Sequence, residues 1–403
     1  MTPNSALSEA GRSIRYRLVS RLYHHPALLR RIAELLVGKP SLARAAKAVA
    51  DLHSVRAVFG RPWSFSTAQA DNMRAGDFVI GMDNGARQAA DRALLQAVLP
   101  TPATFGSLAA AEARSRLDWI CDPQRPASFD LIDDYMVHVA WAPLAASLGP
   151  AANTVGGAVP DSPARKGLYD ELRSLGAQLI IGSGCPAAVR RTADEYAAHL
   201  NTRVGQSLGQ LCAHWQQHSS DAAAVHRNAV GLTWVGHPAT VQAAALCTQQ
   251  LLVNRAKLGE LHLEATRLGD GVWCDIRFRE ALEAFVLEQL AQRPPFPILT
   301  RLAVRATWFE VGRGRWLGAA PAGSTLLILL VGALADRRAT GGLAFGDGPR
   351  ECIARHHVLQ VLVSAMTGLL MLPGLRWADA PWRRMRFDGP VIRHMKLKFR
   401  RQP

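Results

Sequence analysis

Residues 344–357 of the chain read A-F-G-D-G-P-R-E-C-I-A-R-H-H. Gly346 and Gly348 let the backbone turn tightly, and Cys352 precedes a run that is predicted to become helical near Ile353. The N-terminus of a helix stabilises a thiolate through its dipole and its free backbone N–H groups. The stretch therefore predicts an anionic sulfur ligand for a metal at Cys352. The ordinary alternative is a buried cysteine at the start of a helix.

The spacing within this stretch decides between the two interpretations. Phe345, Gly348, Arg350, Cys352 and Ala354 resemble the haem-binding signature F-x-x-G-x-R-x-C-x-[GA] of the cytochrome P-450 superfamily at each fixed position. The resemblance implies that Cys352 is the proximal thiolate ligand of haem b iron, that Phe345 packs beside the sulfur, and that Arg350 pairs with a haem propionate. Electron donation from a thiolate favours O–O bond cleavage in such proteins.

Three further arginines resemble propionate contacts of the same superfamily. Arg301 ends the stretch P-P-F-P-I-L-T-R and resembles the arginine that follows the K helix. Arg92 resembles the basic contact from the C helix, and Arg87 stands near the position where the family usually has a histidine. Planar guanidinium groups suit carboxylates, and several are needed to neutralise two propionates.

The coarse fold follows from periodicity and from the resemblance. Helical spacing of apolar residues dominates and strand-like stretches are fewer, which predicts a mainly α protein with a small β subdomain. The resemblance covers most of the chain from about residue 50 and implies a cytochrome P-450 fold as one haem-binding domain over residues 1–403. Residues 78–83 and 227–232 are also similar to a bacterial branch related to the P-450 domain of fungal diol synthases. The predicted segments are basic N-terminal helices over 1–50, an I-helix-like segment at 226–257, a K-helix-like segment at 278–292, and the cysteine loop with the start of the next helix at 344–357.

The segment resembling the I helix departs from the family pattern. Its V-G-H-P-A-T, residues 235–240, aligns with [AG]-G-x-[DE]-T-T, so that Pro238 replaces the acid and Ala239 replaces the alcohol. These two groups normally deliver protons to bound dioxygen. Pro238 also cannot donate to the carbonyl of Trp234, and we expect a kink and a widened groove there.

Two neighbours of Pro238 are the candidate catalytic residues. Thr240 offers a hydroxyl as a substitute donor, and His237 offers an imidazole as an acid or base. The alternative for Thr240 is a hydrogen bond to its own i−4 carbonyl, which is common for threonine in helices. For His237 the alternative is a position that points away from the iron, as the family usually has it.

A second departure concerns the K helix. Its E-x-x-R pattern places Glu288 correctly, but Ala291 stands where the arginine is expected and Arg293 follows two residues later. Only eight residues separate Asp336 from Phe345, so most of the family's meander loop is missing. Because an unpaired buried carboxylate is costly, we expect Glu288 to pair with Arg293 or to be exposed to solvent.

Three classes of function remain open. The first is a monooxygenase that takes electrons from an acidic ferredoxin-type partner, for which a basic side around Arg350 and Arg355 is suited. The second is a peroxygenase, or a hydroperoxide isomerase, lyase or dehydratase, which needs no dioxygen activation. The third is a non-catalytic protein that keeps the fold and either uses haem for sensing or no longer binds it, and the intact cysteine loop argues against this class. The broad prediction is a haem-thiolate oxidoreductase of secondary metabolism acting on a bulky apolar metabolite, with its pocket between residues 234–240 and 63–78.

Composition and charge indicate the class of protein and its partners. The chain has 403 residues, is 49% apolar and carries a formal net charge of +15, which fits a globular protein and excludes a disordered one. Positive charge concentrates in residues 1–60 and 376–401, which suits an acidic lipid or protein partner. An arginine-rich proteome explains the charge equally well. No nucleic-acid-binding module is visible, so no such partner is expected.

The sequence also indicates where the protein resides. The longest strongly apolar run, residues 326–334, is too short to span a membrane, and residues 1–18 lack the pattern of a signal peptide. Six cysteines are scattered without a C-x-x-C pair. We therefore expect a cytoplasmic protein without a transmembrane segment.

Overall fold

The computed structural model describes residues 9–67, 73–157, 163–336, 338–380 and 384–401. The chain packs into two compact units, each assembled from three separate segments. Unit 1 comprises Met1–Gln96, Ser174–Asn201 and Leu290–Ile353, and unit 2 comprises Ala97–Arg173, Thr202–Gln289 and Ala354–Pro403. Because the segments alternate along the chain, neither unit is a continuous piece of sequence. The expectation of one domain over residues 1–403 stays a prediction.

Helices make up most of the described chain, as the periodicity predicts. Pro26, Pro40 and Pro102 each stand at the start of a helix, where a fixed φ and a missing N–H are tolerated. The α-helices among the described residues are α1 (Glu9–His24), α2 (Pro26–Gly38), α3 (Pro40–Ala45), α4 (Leu52–Phe59), α5 (Ala86–Val98), α6 (Pro102–Cys121), α7 (Val137–Leu148), α8 (Ala152–Gly156), α9 (Pro163–Ile181), α10 (Ala187–Gln206), α11 (Leu208–Trp215), α12 (Ala222–Gly231), α13 (His237–Val253), α14 (Arg255–Leu268), α15 (Ile276–Gln292), α16 (Leu330–Leu334) and α17 (Arg355–Met371).

The strands are short and form several small sheets. They are β1 (Ala48–Val49), β2 (Phe65–Ser66), β3 (Ser128–Asp130), β4 (Ile298–Ala303), β5 (Thr307–Val311), β6 (Trp316–Ala320), β7 (Thr325–Leu329), β8 (Arg376–Trp377), β9 (Arg386–Asp388), β10 (Val391–His394) and β11 (Lys396–Lys398). The mainly α prediction with a small β subdomain is therefore confirmed.

Unit 1 is built on a four-stranded sheet with the order β1-β7-β4-β2. Strands β1 and β7 are parallel, and the other pairs are antiparallel, with Arg301 of β4 opposite Leu326 of β7. Apolar residues of α2, α4, α16 and the sheet form one buried core that includes Leu29, Phe59 and Ile328. This core fixes β4, which carries Arg301, and α16, which precedes the cysteine loop.

Unit 2 is a helical body with two small sheets. Helices α6, α7, α13 and α14 pack on α17. The hydroxyl of Tyr135 donates to the carbonyl of Ala365 on α17 at 2.9 Å, which ties the segment before α7 to this helix. Strands β3, β11 and β8 form a three-stranded antiparallel sheet, and β9 and β10 form a hairpin.

The helix predicted at 226–257 is wrong in one respect, because the range is divided among four elements. Helix α12 ends at Gly231, a π-helical turn spans Leu232–Gly236, and α13 ends at Val253. The side chain of Asn254 then accepts a hydrogen bond from the Lys257 N–H and starts α14, as an N-cap does. The helix predicted at 278–292 agrees with α15, which begins two residues earlier.

No single described helix is long and apolar enough to cross a membrane. The pair Ala86–Val98 and Pro102–Cys121 meets that test by length and composition only when the two bent helices are taken together.

Candidate functional site

The cysteine loop of unit 1 is a short, tightly turned segment. Two 3-10 turns, Gly341–Phe345 and Gly348–Arg350, precede the cysteine, and the Cys352 N–H donates to the Phe345 carbonyl at 2.8 Å. Gly346 and Gly348 have φ values of +86° and +69°, which side chains other than glycine rarely adopt. Cys352 is exposed, so that its thiol is accessible to a ligand.

The helix after the cysteine begins later than the sequence predicts. The chain makes a turn at residues 353–354, and α17 begins at Arg355 instead of near Ile353. Ala354 is the residue that precedes the helix, with φ and ψ of −96° and 14° and no side-chain cap. A small residue at this position is compatible with the turn.

Three arginines of unit 1 lie close enough for their charges to affect one another's pKa. We call Arg92, Arg301 and Arg350 the arginine cluster. Burial, together with the positive charge of Arg350, lowers the pKa of Arg301 to about 10. Burial also lowers the pKa of Arg350, where Asp83 acts in the opposite direction and Arg92 adds to the lowering. The cluster therefore costs the protein electrostatic energy in the absence of an anion.

The hydrogen bonds of the cluster leave donors without acceptors. Arg350 donates from Nη1 to the Val79 carbonyl at 3.1 Å, while its Nε and Nη2 are buried and lack a hydrogen-bond partner in the part of the chain that the structure describes. Arg301 donates from Nη1 to the Thr300 carbonyl at 2.8 Å, and its guanidinium stacks on the ring of Phe59 at 5.4 Å. Buried charged donors without acceptors are expensive, so these residues fit a ligand that carries two carboxylates, as haem does.

The other predicted proximal residues occupy different surroundings. Arg92 of α5 is partly buried, and Phe345 of the cysteine loop is also partly buried. Arg87, also on α5, is more than half exposed and pairs with Asp77 at 3.0 Å. The structure therefore gives Arg87 an acidic partner of its own, and its predicted role at the propionates stays a prediction.

One residue of this region was missed by the sequence-based prediction. Asp83 is the acid whose charge raises the pKa of Arg350, and its carboxylate accepts a hydrogen bond from the Ser66 hydroxyl. It ends the stretch at residues 78–83, which also contains Val79, the acceptor for Arg350. The only signal in the sequence was the similarity of that stretch to the diol synthase branch.

His237 in unit 2 has the surroundings of a packed core residue. It is only 2% exposed, and its Nε2 lies 2.9 Å from the Val137 carbonyl, which can only accept, so that Nε2 is the donor. The ring makes edge contacts with Trp141 and Tyr169 at centroid distances of 5.8 and 5.9 Å. These contacts hold the imidazole against α7 and α9, and its catalytic role stays a prediction.

The expected distortion at Pro238 takes the form of a π-helical turn. The turn Leu232–Gly236 runs directly into α13, whose second residue is Pro238, so that the helix is distorted next to the residue that cannot donate. Thr240 donates to the Gly236 carbonyl at 2.8 Å, which is the i−4 alternative. Trp234 is 1% exposed, and its indole N–H has no hydrogen-bond partner in the described chain.

The structure shows the surroundings of Glu288 and Arg293, the two residues of the K-helix departure. Glu288 on α15 is exposed, which confirms one of the two expected outcomes. Arg293 follows the helix and is only 7% exposed, and burial lowers its pKa to about 10.

Comparisons with known proteins agree with this geometry at the level of the fold. No protein-family model matches the sequence, and no curated protein matches it. A solved structure of a P450 EryK mutant in complex with erythromycin B superposes with a TM-score of 0.70 at 17% identity, covering 94% of this chain and 97% of that one. P450BioI, solved with an acyl carrier protein bearing hexadec-9Z-enoic acid, gives 0.68 at 14% identity over 91% and 100% of the two chains. CYP109B1 from Bacillus subtilis gives 0.65 at 16% identity over 87% and 93%. The fold implied by the cysteine signature is therefore confirmed, and the chain has the fold of the cytochrome P450 superfamily.

Proposed function

We propose that the protein is a haem-thiolate oxidoreductase of the cytochrome P-450 type that binds haem b through Cys352. The observation that carries this proposal is the arginine cluster, because its buried donors lack acceptors in the same unit that presents the exposed cysteine. Two haem propionates supply the missing carboxylates. A chain without such a ligand gains nothing from three neighbouring arginines at this cost.

Each proximal residue has a distinct task in this proposal. The Cys352 sulfur ligates the iron, and the hydrogen bond between the Cys352 N–H and the Phe345 carbonyl holds the loop that presents it. Arg301 and Arg350 bind the propionates, and Arg92 adds positive charge to their environment. When bound, the haem supplies oxidation chemistry in which thiolate ligation favours O–O bond cleavage.

The substrate class is proposed from the apolar distal helix and from the solved relatives. In α13 and the turn before it, Leu232, Trp234 and Val241 are buried and apolar. The solved relatives hold erythromycin B and a hexadecenoic acid on its carrier protein. We therefore propose a bulky apolar metabolite as the substrate, in keeping with secondary metabolism.

The source of oxygen distinguishes two forms of this function. Pro238 and Ala239 carry neither acid nor hydroxyl, and the Thr240 hydroxyl donates to its own helix. These observations favour a peroxygenase, or a hydroperoxide isomerase, lyase or dehydratase, as the second candidate beside the dioxygen-dependent monooxygenase. The first form needs an acidic ferredoxin-type partner, which the net charge of +15 suits, and the second form does not. In either form we propose a cytoplasmic protein.

The proposal is tested by titrating the purified protein, stripped of any bound haem, with hemin and following the Soret absorbance. The Arg301→Gln, Arg350→Gln double variant should bind hemin much more weakly than the Arg338→Gln control, whose exposed arginine in the same unit already pairs with Asp336. Equal affinity of the two variants would remove the support that the arginine cluster gives. A wild-type protein that does not bind hemin would leave only the third class, a scaffold without haem chemistry.

A further inference from the structure

A small pocket opens in unit 2 where the end of the chain leaves one sheet and joins another. Strand β10 pairs with β9 up to His394, and β11 pairs with β3 and β8 from Lys396 onward. The pocket has a volume of about 240 Å³ and is lined by Asp379, Arg386, His394 and Lys396. We call it the tail pocket. Charged side chains of both signs therefore line one cavity.

The alternation along the last strand explains why two of these side chains share a side. Met395 and Leu397 are fully buried, which fixes the inner face of the segment. Successive side chains of an extended chain point to opposite faces, so His394 and Lys396 lie together on the outer face. Lys396 is exposed and His394 is partly exposed, as this alternation requires.

Neighbouring strands bring the other two lining residues to the same place. Arg386 of β9 stands opposite His394 in the hairpin register, and opposite residues of a sheet have adjacent side chains. The Ala378 N–H donates to the Lys396 carbonyl at 3.1 Å. Asp379, the next residue after Ala378, is thereby held beside the same segment. The pocket is thus a product of strand pairing on both sides of the chain end.

His394 forms part of the pocket wall but offers no free nitrogen. Its Nε2 lies 2.9 Å from Nε of Arg393, which can only donate, so Nε2 is the acceptor. The ring hydrogen is therefore on Nδ1, which donates to the Asp130 carboxylate at 3.2 Å and lies 3.5 Å from that of Asp133. Both nitrogens are engaged, which leaves no lone pair of this imidazole for a metal ion.

The other three lining side chains carry charges without partners. Among the described residues, no group of opposite charge lies at ion-pair distance from Asp379, Arg386 or Lys396, and none of these side chains makes a hydrogen bond. Lys396 stands opposite Asp130 in the register of β3 and β11, but that carboxylate accepts from His394 instead. Opposite charges therefore share the tail pocket without reaching one another. A ligand that carries charges of both signs can contact all three.

We propose that the tail pocket binds a free α-amino acid. Arg386 and Lys396 bind the ligand's carboxylate, for which the planar fork of arginine is suited, and Asp379 accepts hydrogen bonds from its ammonium group. The aliphatic stems of the two cationic residues provide apolar surface for the ligand's side chain. A simple anion leaves Asp379 unpaired and brings a like charge towards it, so the acid selects against such ligands.

The size of the pocket fits the same class of ligand. Its volume of about 240 Å³ lies below the roughly 300 to 1,000 Å³ of pockets that hold drug-sized molecules. The four lining residues belong to unit 2, whereas Cys352 and the arginine cluster belong to unit 1. The proposal therefore does not rest on the haem-thiolate function, and its test needs no haem.

The test is isothermal titration calorimetry of the full-length protein with three molecules that share an apolar skeleton. Leucine carries both charged groups, 4-methylpentanoate lacks the ammonium group, and 3-methylbutylamine lacks the carboxylate. Wild type should bind leucine about tenfold more tightly than either of the other two, because each of them lacks one charged contact. Inorganic phosphate is the fourth probe, and it should bind more weakly than leucine because Asp379 repels it.

Four variants connect this affinity to the pocket. Arg386→Gln should weaken leucine binding about tenfold, and Asp379→Asn should remove the preference for leucine over 4-methylpentanoate. The matched controls are Arg376→Gln and Asp118→Asn, which neutralise an exposed arginine and an exposed acid of unit 2 that do not line the pocket. Their leucine affinity should change by less than about twofold.

A thermal unfolding scan without ligand separates binding from folding. All four variants should melt close to wild type, because none of the replaced charges takes part in an ion pair among the described residues. Equal leucine affinity of Arg386→Gln and Arg376→Gln would overturn the proposal. It would also be overturned if wild type bound phosphate or 4-methylpentanoate at least as tightly as leucine, or gave no binding heat with leucine at millimolar concentration.

Discussion

The arginine cluster of unit 1 and the helix around Pro238 in unit 2 differ in how their polar side chains are hydrogen-bonded. In unit 1, two buried nitrogens of Arg350 have no acceptor among the described residues, and burial lowers the pKa values of Arg301 and Arg350. In unit 2, the polar atoms that the sequence singled out, His237 Nε2 and the Thr240 hydroxyl, already donate to backbone carbonyls. The first region fits an anionic ligand, and in the second the two candidate proton donors are already engaged by the backbone.

This difference separates the residues proposed to bind the cofactor from those expected to deliver protons to dioxygen. The arginine cluster keeps buried positive charge that the proposed haem propionates would balance. The acid and the hydroxyl expected at residues 238 and 239 are absent, and the Thr240 hydroxyl donates to its own helix. Under the proposed function, haem binding and proton delivery would therefore be separable.

The sharpest test of the contrast is the Arg301→Gln, Arg350→Gln double variant. It should lower hemin affinity by more than about 100-fold, since two charged hydrogen bonds at roughly 1.5 to 3 kcal/mol each together contribute about 3 to 6 kcal/mol. The same variant should raise the melting temperature of the haem-free protein, because it removes two mutually repelling buried cations. Hemin titration and calorimetry give the two values. A loss of stability in the haem-free protein would show that the cluster is structural.

The second test concerns His237 in unit 2. His237→Leu removes the donor to the Val137 carbonyl and leaves a buried acceptor, so it should destabilise the protein by about 2 kcal/mol in denaturant unfolding. Hemin affinity should be unchanged. The pH profile of turnover should also be unchanged if the imidazole is structural, whereas loss of one limb of that profile would make His237 a proton-transfer group.

The third test restores the missing proton-delivery groups. Pro238→Glu with Ala239→Thr should raise NADPH-coupled, oxygen-dependent turnover about tenfold if the protein is an impaired monooxygenase. It should leave peroxide-driven turnover unchanged or lower if the protein uses preformed O–O bonds. Leu263→Ala, at an exposed side chain of α14, serves as the control. If the rates with dioxygen and with peroxide were both unchanged, residues 238 and 239 would not determine which oxidant the protein uses.

The smallest expected effect concerns an acid of unit 2. Burial, with the nearby charge of Asp130, raises the pKa of Asp133 to about 6 although His394 opposes the shift. The folded protein therefore binds this proton more tightly than the unfolded chain, and stability falls as pH rises from about 4 to 6. Asp133→Asn should raise stability by about 1 kcal/mol at pH 7 after allowance for solvent screening, and by nothing at pH 4. A stabilisation equal at both pH values would contradict this cause.

The fold and the cysteine loop were accessible from the sequence because they rest on local patterns. The spacing around Cys352 is a short-range constraint of a tight turn, and helical periodicity reports burial directly. The break at Asn254 was also visible in principle, because asparagine is a common N-cap, but the apolar pattern runs through it.

The side-chain partners were not accessible in the same way. The pairing of Arg87 with Asp77 and the contact of His237 with Val137 join residues whose proximity depends on packing. The π-helical turn before Pro238 is likewise one of several ways to accommodate a proline within a helix. Sequence pattern predicts that such a residue disturbs the helix, and tertiary packing decides how.

The most direct test of the central claim is the absorbance spectrum of the purified protein, reduced and exposed to carbon monoxide, beside that of Cys352→Ala. The account predicts the red-shifted Soret band typical of thiolate-ligated haem in wild type and its loss in the variant. The exposed cysteine should tolerate alanine without unfolding, which circular dichroism checks. The same red-shifted band in both proteins, or no bound haem in either after reconstitution, would contradict the account.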